Sequence, residues 1–225
     1  MPVMLPISKG PAPRELSSAV RRIKGTPGAT LSWSNLDAAE RGATLRSLLD
    51  EQGHLCAYCM RRISEKNAHV EHIKPQSVGR GGDDPDSVDY TNLLAVCDGF
   101  AGSPAGLTCD RARGDAPLTV NPLFPETLEG IRYLRDGHIT SDQDDIDDDL
   151  DERLNLNQDL LVRNRAAVAR KLGGKLASVG ERRGPGGVRS FCRHYIDEHL
   201  ADASAREEFD GVVIYFMQKR LRSTV

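Results

Sequence analysis

No apolar run in this 225-residue chain approaches 18 residues, which excludes a membrane-spanning helix. The opening residues, MPVMLPISKGPAPREL, lack the apolar core of a secretory leader, so the expectation is a cytoplasmic protein. No internal repeat is evident. Net positive charge is missing too. The 30 Lys and Arg stand against 33 Asp and Glu, and the balance of −3 does not advertise a nucleic-acid binder. The charge is uneven, however. Residues 142–152, DQDDIDDDLDE, hold eight carboxylates, so the remainder carries +5. Cysteines are few. Five in a cytoplasmic chain point to metal binding over disulfides.

What is present describes an ordinary globular chain, 39% hydrophobic and 28% charged. A chain this long buries roughly 70% of its unfolded surface, as one large domain or two small ones. Residues 1–12 carry Pro2, Pro6 and Pro11 and are expected to run extended. The apolar spacing predicts a helix over 13–24. A second helix starts at Ser34 and Asp37, runs to Gln52 and stops at Gly53. Short strands are expected within 54–63, over 68–73 and over 92–96. Polar loops follow at 77–89 and 97–108, then a short helix over 109–114. Residues 131–139 read as a hairpin around an Asp-Gly turn. The acidic run reads as a solvated loop, with a partner-binding segment as the alternative. The last third is helical, interrupted at 184–187, with a capping box expected at Ser204 and Glu207.

The chemistry concentrates between residues 56 and 115. Cys56 and Cys59 have the two-residue spacing that lets both thiolates of a tight turn reach one metal. Cys97 and Cys109 could close a four-thiolate tetrahedron, a site worth on the order of 10 kcal/mol to folding. Cys192 sits on an apolar helix face and reads as a core thiol. Between the two cysteine pairs lie His69, Glu71, His72 and Asn92, and Asp110 follows the last cysteine. These are general-base and hard-metal ligand types. One tension is visible at once. Alternation along a strand puts Glu71 and His72 on opposite faces. Both reach one cleft only if the strand ends or twists there, and Pro75 makes an early end plausible.

Four motifs, Cys56-x-x-Cys59, His69-Val-Glu71-His72-Ile-Lys-Pro75, Asn92-Leu-Leu and Cys109-Asp110-x-x-Arg113-Gly114, resemble the HNH endonuclease family. Over most of its length the chain is also similar to a longer branch, the Septu-type and retron-associated HNH proteins called PtuB. The resemblance implies an α+β, mainly helical protein. Its ββα-metal core and zinc knuckle would span residues 53–125. A helical extension (1–52) would precede the core, and a hairpin, acidic segment and helical region (126–225) would follow it. It implies that His72 is the general base and that Asn92 orients it or holds the metal loop. His69 would sit beside the site, touch the scissile phosphate or be structural. Glu71 and Asp110 would hold a catalytic Mg²⁺ or Mn²⁺, and the four cysteines a structural Zn²⁺. Aspartate at position 110 departs from the family's usual His or Asn, and a hard oxygen ligand there favours Mg²⁺ or Mn²⁺ over zinc. Asp115 and Asn121 are the spare ligands should Asp110 face away. Lys74, Arg111 and Arg113 are the expected phosphate contacts. The implied partners are a nucleic acid, DNA rather than RNA, and an ATPase of the PtuA kind. The rival reading is a zinc-stapled module that binds nucleic acid or an ATPase without catalysis.

Overall fold

The computed structural model describes residues 4–76, 83–102 and 106–223. Helix α1 (Arg14–Lys24) buries Leu16, Ala19 and Ile23 and closes on Gly25. Helix α2 (Ala38–Glu51) opens with a capping box. The cap is Asp37 with Glu40, each side chain accepting from the other's backbone N–H at 2.8 Å. Ser34 does not cap it but lies in a 3₁₀ turn over Trp33–Asn35.

After α2 the chain turns through Gly53 at φ 62°, where a Cβ would lie 2.0 Å from the Ala203 carbonyl oxygen. Only glycine accepts both the left-handed backbone and that approach. The cysteine knuckle follows. In place of the strand expected within 54–63 there is one isolated bridge, Leu55 to Arg62. Strands β1 (Ala68–His72) and β2 (Leu93–Cys97) pair antiparallel, with His69 opposite Val96, Glu71 opposite Leu94 and His72 opposite Leu93. Every residue of β2 is buried. Its outer edge is completed by a side chain. The Gln52 amide donates to the Leu55 and Ala95 carbonyls and accepts from the Ala95 N–H, all at 2.8 Å. A buried edge needs such a partner for its peptide groups.

Helix α3 (Asp110–Arg113) is a single turn. Strands β3 (Arg132–Tyr133) and β4 (Ile139–Thr140) form the second, smaller hairpin. The acidic run is not a loop. It forms helix α4 (Asp144–Asp148) and a π turn over Asp149–Arg153, and it sends Ile146 and Leu150 into the core. Asp149 is fully buried and accepts the backbone N–H groups of Thr119 (2.5 Å) and Val120 (2.8 Å).

The helical stretch α5 (Asp159–Ala201) is interrupted at Gly184, whose φ of 65° and ψ of −176° no helix contains. The chain folds back there. Lys175 Nζ lies 5.0 Å from the Phe191 ring centre, whereas 16 residues of straight helix would span about 24 Å. Helix α6 (Asp210–Arg222) packs on this helical hairpin. The expected capping box at Ser204 does not form, because Asp202 caps the Ser204 N–H instead and α6 starts later. Arg165 is no surface cation. It is buried and donates to the carbonyls of Gly137 and Leu156, each at 2.6 Å.

The structure is α+β and mainly helical, and one apolar cluster runs from Met4 to Met217. Backbone bonds tie its distant segments to the knuckle. Phe209 N–H donates to Met60 O at 2.9 Å, and Cys109 N–H to Leu154 O at 2.8 Å. No helix among the described residues is long and apolar enough to cross a membrane.

Candidate functional site

The four cysteines converge. The tight turn after Cys56 is closed by Met60 N–H donating to Cys56 O at 3.0 Å, which turns Cys59 back beside it. Cys97 arrives at the end of β2 and Cys109 immediately before α3. All four Sγ atoms are buried and lie within 4.8 Å of one another. The separations are 3.8 Å for Cys56–Cys109 and 3.7 Å for both Cys59–Cys97 and Cys97–Cys109. A tetrahedral ion with metal–sulfur bonds of about 2.3 Å requires sulfur–sulfur edges of about 3.8 Å. The cluster therefore has the dimensions of a zinc site. Backbone N–H groups of Cys97 and Gly99 point at Cys56 Sγ and Cys97 Sγ, both at 3.4 Å, as around metal-bound thiolates. Burial opposes ionisation at Cys56, yet hydrogen bonds from the Cys109, Cys59 and Cys97 thiols outweigh it and hold its pKa well below the ordinary 9.0.

One residue beyond Cys109 a second polar cluster begins. Strand alternation puts His69 and Glu71 on one face of β1, towards α3. His69 Nε2 lies 2.5 Å from Asp110 Oδ2. Glu71 is buried and ion-paired with Arg113. The Tyr58 hydroxyl donates to its Oε1 at 3.2 Å, and the His72 N–H donates to its Oε2 at 3.1 Å. Burial, then the neighbouring Asp110 carboxylate, pushes the Glu71 pKa up to about 8, against the pull of Arg113 and Tyr58. Burial works against the Asp110 carboxylate as well, but hydrogen bonds to His69 and Glu71 overcome it and lower its pKa. The Asp110 charge thus works against ionisation of Glu71, and a divalent cation beside both carboxyls would favour their charged forms. Among the described residues, the four cysteines are the His, Cys, Asp or Glu set whose donor atoms converge within 4.8 Å, and His69, Glu71 and Asp110 do not converge so tightly. Two carboxylates completed by water and substrate oxygens suit Mg²⁺ or Mn²⁺, which retain several oxygen ligands from outside the protein.

His72 sits on the other face of the strand. Its Nε2 lies 2.9 Å from the Ser87 carbonyl oxygen, and the Trp33 ring meets it edge-on with centroids 5.4 Å apart. The Gln76 amide nitrogen is 2.9 Å from its Nδ1. Burial lowers the His72 pKa below 6.5, although the carbonyl of Ser87 and the charges of Asp84 and Asp110 work in the opposite direction. The alternation conflict is therefore real. His72 does not stand beside His69, yet the Asp110 charge still reaches it.

Asn92 does not touch the His72 ring. Its Oδ1 accepts from the Lys74 N–H at 2.8 Å, and its amide donates to the carbonyls of Lys74 (3.2 Å) and Asp86 (3.0 Å). It pins the turn that ends β1. Lys74 is exposed and pairs with Asp86, and Arg111 is exposed. Arg113 is not a surface phosphate contact, which corrects the expectation from sequence. Its side chain is 1% exposed, and all three guanidinium nitrogens are engaged inside the protein. Asp110, for which Asp115 and Asn121 are the alternatives, faces His69. Tyr58, Gln76 and Ser87 were missed by sequence reasoning. Only Tyr58 left a signal, since within CAYC it flanks both thiolates and must point away from them.

No family model matches the chain. Over 137 residues it is 30% identical to a Vibrio cholerae (serotype O1 biovar El Tor) protein named as a candidate HNH endonuclease of retron Vc95, covering 60% of this chain and 65% of that protein. Over 92 residues it is 33% identical to an Escherichia coli protein named in the same way for retron Ec83, covering 35% of this chain and 36% of that protein. The chain thus spans less than two thirds of either relative.

Proposed function

We propose that the chain is a metal-dependent HNH endonuclease that hydrolyses phosphodiester bonds of nucleic acid, DNA rather than RNA. The observation that carries this reading is the His69–Asp110 contact at 2.5 Å, one residue from a four-thiolate cluster, with Glu71 on the same strand face as His69. The order β1, β2, α3 supports this reading, since a ββα-metal core needs two strands followed by a helix. Both relatives are named as HNH endonucleases of retrons. The defence setting and the ATPase partner of the PtuA kind rest on the sequence resemblance and on those retron names.

Glu71 and Asp110 hold the catalytic ion in this reading, and the four cysteines a structural Zn²⁺. Bound Mg²⁺ or Mn²⁺ supplies Lewis-acid stabilisation of the scissile phosphate and the leaving 3′-oxygen. His72 deprotonates the attacking water, an effect typically worth ~10²–10⁴-fold. Its Nε2 donates to the Ser87 carbonyl, which fixes the neutral tautomer and leaves the lone pair on Nδ1. The Gln76 amide nitrogen lies 2.9 Å from Nδ1, the position that the attacking water would take in this reading. His69 keeps Asp110 ionised and aimed. Lys74 and Arg111 are the remaining phosphate contacts, and Asn92 holds the loop between them and the base.

The test is cleavage of plasmid DNA, single-stranded DNA and RNA by the purified chain with Mg²⁺ or Mn²⁺, with and without a PtuA-type ATPase. Cleavage that His72→Ala abolishes supports the reading. Absence of cleavage in every condition, with retained nucleic-acid binding, favours the zinc-stapled binding module, a reading that draws on the burial of both Glu71 and His72.

A further inference from the structure

Arg113 lies at the C-terminal end of α3, three residues after Asp110 and four after Cys109. Its Nε donates to the Ala116 carbonyl at 2.6 Å, which braces the side chain against its own turn. Its Nη1 donates to Glu71 Oε1 and approaches the Tyr58 hydroxyl at 3.5 Å and the His72 carbonyl at 3.3 Å. Its Nη2 donates to the Ile73 carbonyl at 2.6 Å. One guanidinium therefore grips the Glu71 side chain and the main chain of His72 and Ile73 together. Oε1 is taken by Arg113 and Tyr58, while Oε2 accepts the His72 N–H at 3.1 Å and is the Glu71 oxygen with one lone pair left for a ligand.

We infer that Arg113 is a positioning residue of the cleavage site, which locks the carboxylate of Glu71 and the backbone of His72 into one geometry and makes no contact with nucleic acid. The inference rests on the nuclease reading above for what is positioned. A planar fork is required, since an ammonium at the same place can satisfy Glu71 or one carbonyl but not all three. The charge complement alone is thus insufficient. Misplacing a metal ligand and a base by as little as an ångström costs on the order of a hundredfold in rate.

The experiment compares wild type, Arg113→Lys, Tyr58→Phe and the exposed control Arg111→Ala, all as the full chain. Arg113→Ala is avoided because it leaves Glu71 buried and unpaired and is liable to unfold. Tyr58→Phe keeps the volume and removes a single donor to Glu71. Cleavage is read as kcat and KM, DNA binding is read in EDTA, and metal binding is read by Mn²⁺ titration with electron paramagnetic resonance. Zinc content checks the fold. For Arg113→Lys the expected result is a kcat drop of about a hundredfold, weaker Mn²⁺ binding, and KM and DNA affinity within about twofold of wild type. Tyr58→Phe moves kcat and Mn²⁺ binding in the same direction by less, and Arg111→Ala raises KM while keeping kcat. A rise in KM and loss of DNA affinity with unchanged kcat for Arg113→Lys makes Arg113 a phosphate contact and overturns the inference. So does Arg113→Lys behaving as wild type in kcat and Mn²⁺ binding. If wild type cleaves nothing yet binds Mn²⁺ in a way that Glu71→Gln abolishes and Arg113→Lys weakens, the positioning role stands and the nuclease reading fails. If wild type neither cleaves nor binds Mn²⁺, both fall.

Discussion

His69 on β1 and Asp110 on α3 are 41 residues apart and meet at 2.5 Å. The contact sits next to the sulfur cluster, because Asp110 follows Cys109 directly. What brings the two side chains together is the pairing of β1 with β2 on one side and the anchoring of Cys109 on the other. The first consequences to test concern those anchors.

The chain should carry one tightly held zinc, measured by elemental analysis of protein purified without added metal. Cys109→Ser should lose the zinc and most of the fold, since a four-thiolate site contributes on the order of 10 kcal/mol. Cys192, buried on α5 and outside the four-thiolate cluster, tests the contrast. Cys192→Ala should keep the zinc and cost about 1 kcal/mol. Zinc-free protein with a wild-type melting curve would refute the assignment.

His72→Ala and Asp110→Ala should separate base from ligand. The histidine variant loses cleavage by orders of magnitude while binding Mn²⁺ as before. The aspartate variant loses cleavage and needs more metal for what remains. Both should retain zinc, because neither touches a thiolate. Equal cleavage by wild type and His72→Ala would remove His72 from the mechanism.

Acid should abolish the proposed cleavage only below the ordinary histidine range. Burial lowers the His72 pKa from 6.5, and a cation bound nearby pushes it in the same direction. The acid limb of the rate at saturating metal should therefore be centred below pH 6.5. An acid limb centred above 6.5 would assign the titration to another group. The same shift has a stability side. Between the lowered pKa and 6.5 the unfolded chain binds the proton first, so acidification through that window destabilises the fold.

Asp149 should be the costly carboxylate of the acidic run. Asp149→Ala removes the acceptor of two backbone N–H groups and of Arg153, and should cost about 3 kcal/mol by denaturant melting. Asp148→Ala, one position earlier and exposed, should stay within about 0.5 kcal/mol. Equal effects would mean that the buried carboxylate does not hold residues 119 and 120.

Local signals were legible where one segment decides its own structure. The apolar spacing and Gly53 bounded α2, and the Gly-Pro pair at 184 and 185 marked the fold-back of α5. The CxxC spacing announced a metal knuckle, but its closure by Cys97 and Cys109 depends on strand pairing. Where two local signals competed, sequence reasoning chose badly. Ser34-x-x-Asp37 and Asp37-x-x-Glu40 overlap, and the second wins because its carboxylate can return the bond to the cap's N–H. In the acidic run, Ile146 and Leu150 are four apart on one helix face, a pattern hidden by the surrounding charge. Arg113 was misread because a basic residue beside a phosphodiester site suggests phosphate. Only the fold reveals that Glu71 and two carbonyls already surround it.

The single turn of α3 also restricts how the chain can change in length. Cys109 must face the sulfur cluster, Asp110 must face His69, and Arg113 must reach Glu71, all within five consecutive residues. One inserted residue between Cys109 and Arg113 rotates everything after it by about 100° and advances it by about 1.5 Å. Either the thiolate or the guanidinium then misses its partner, and no neighbouring loop can absorb the error. Insertions and deletions that survive should therefore fall outside 109–113, whereas substitutions inside it remain free at Ala112, whose methyl carries none of these contacts.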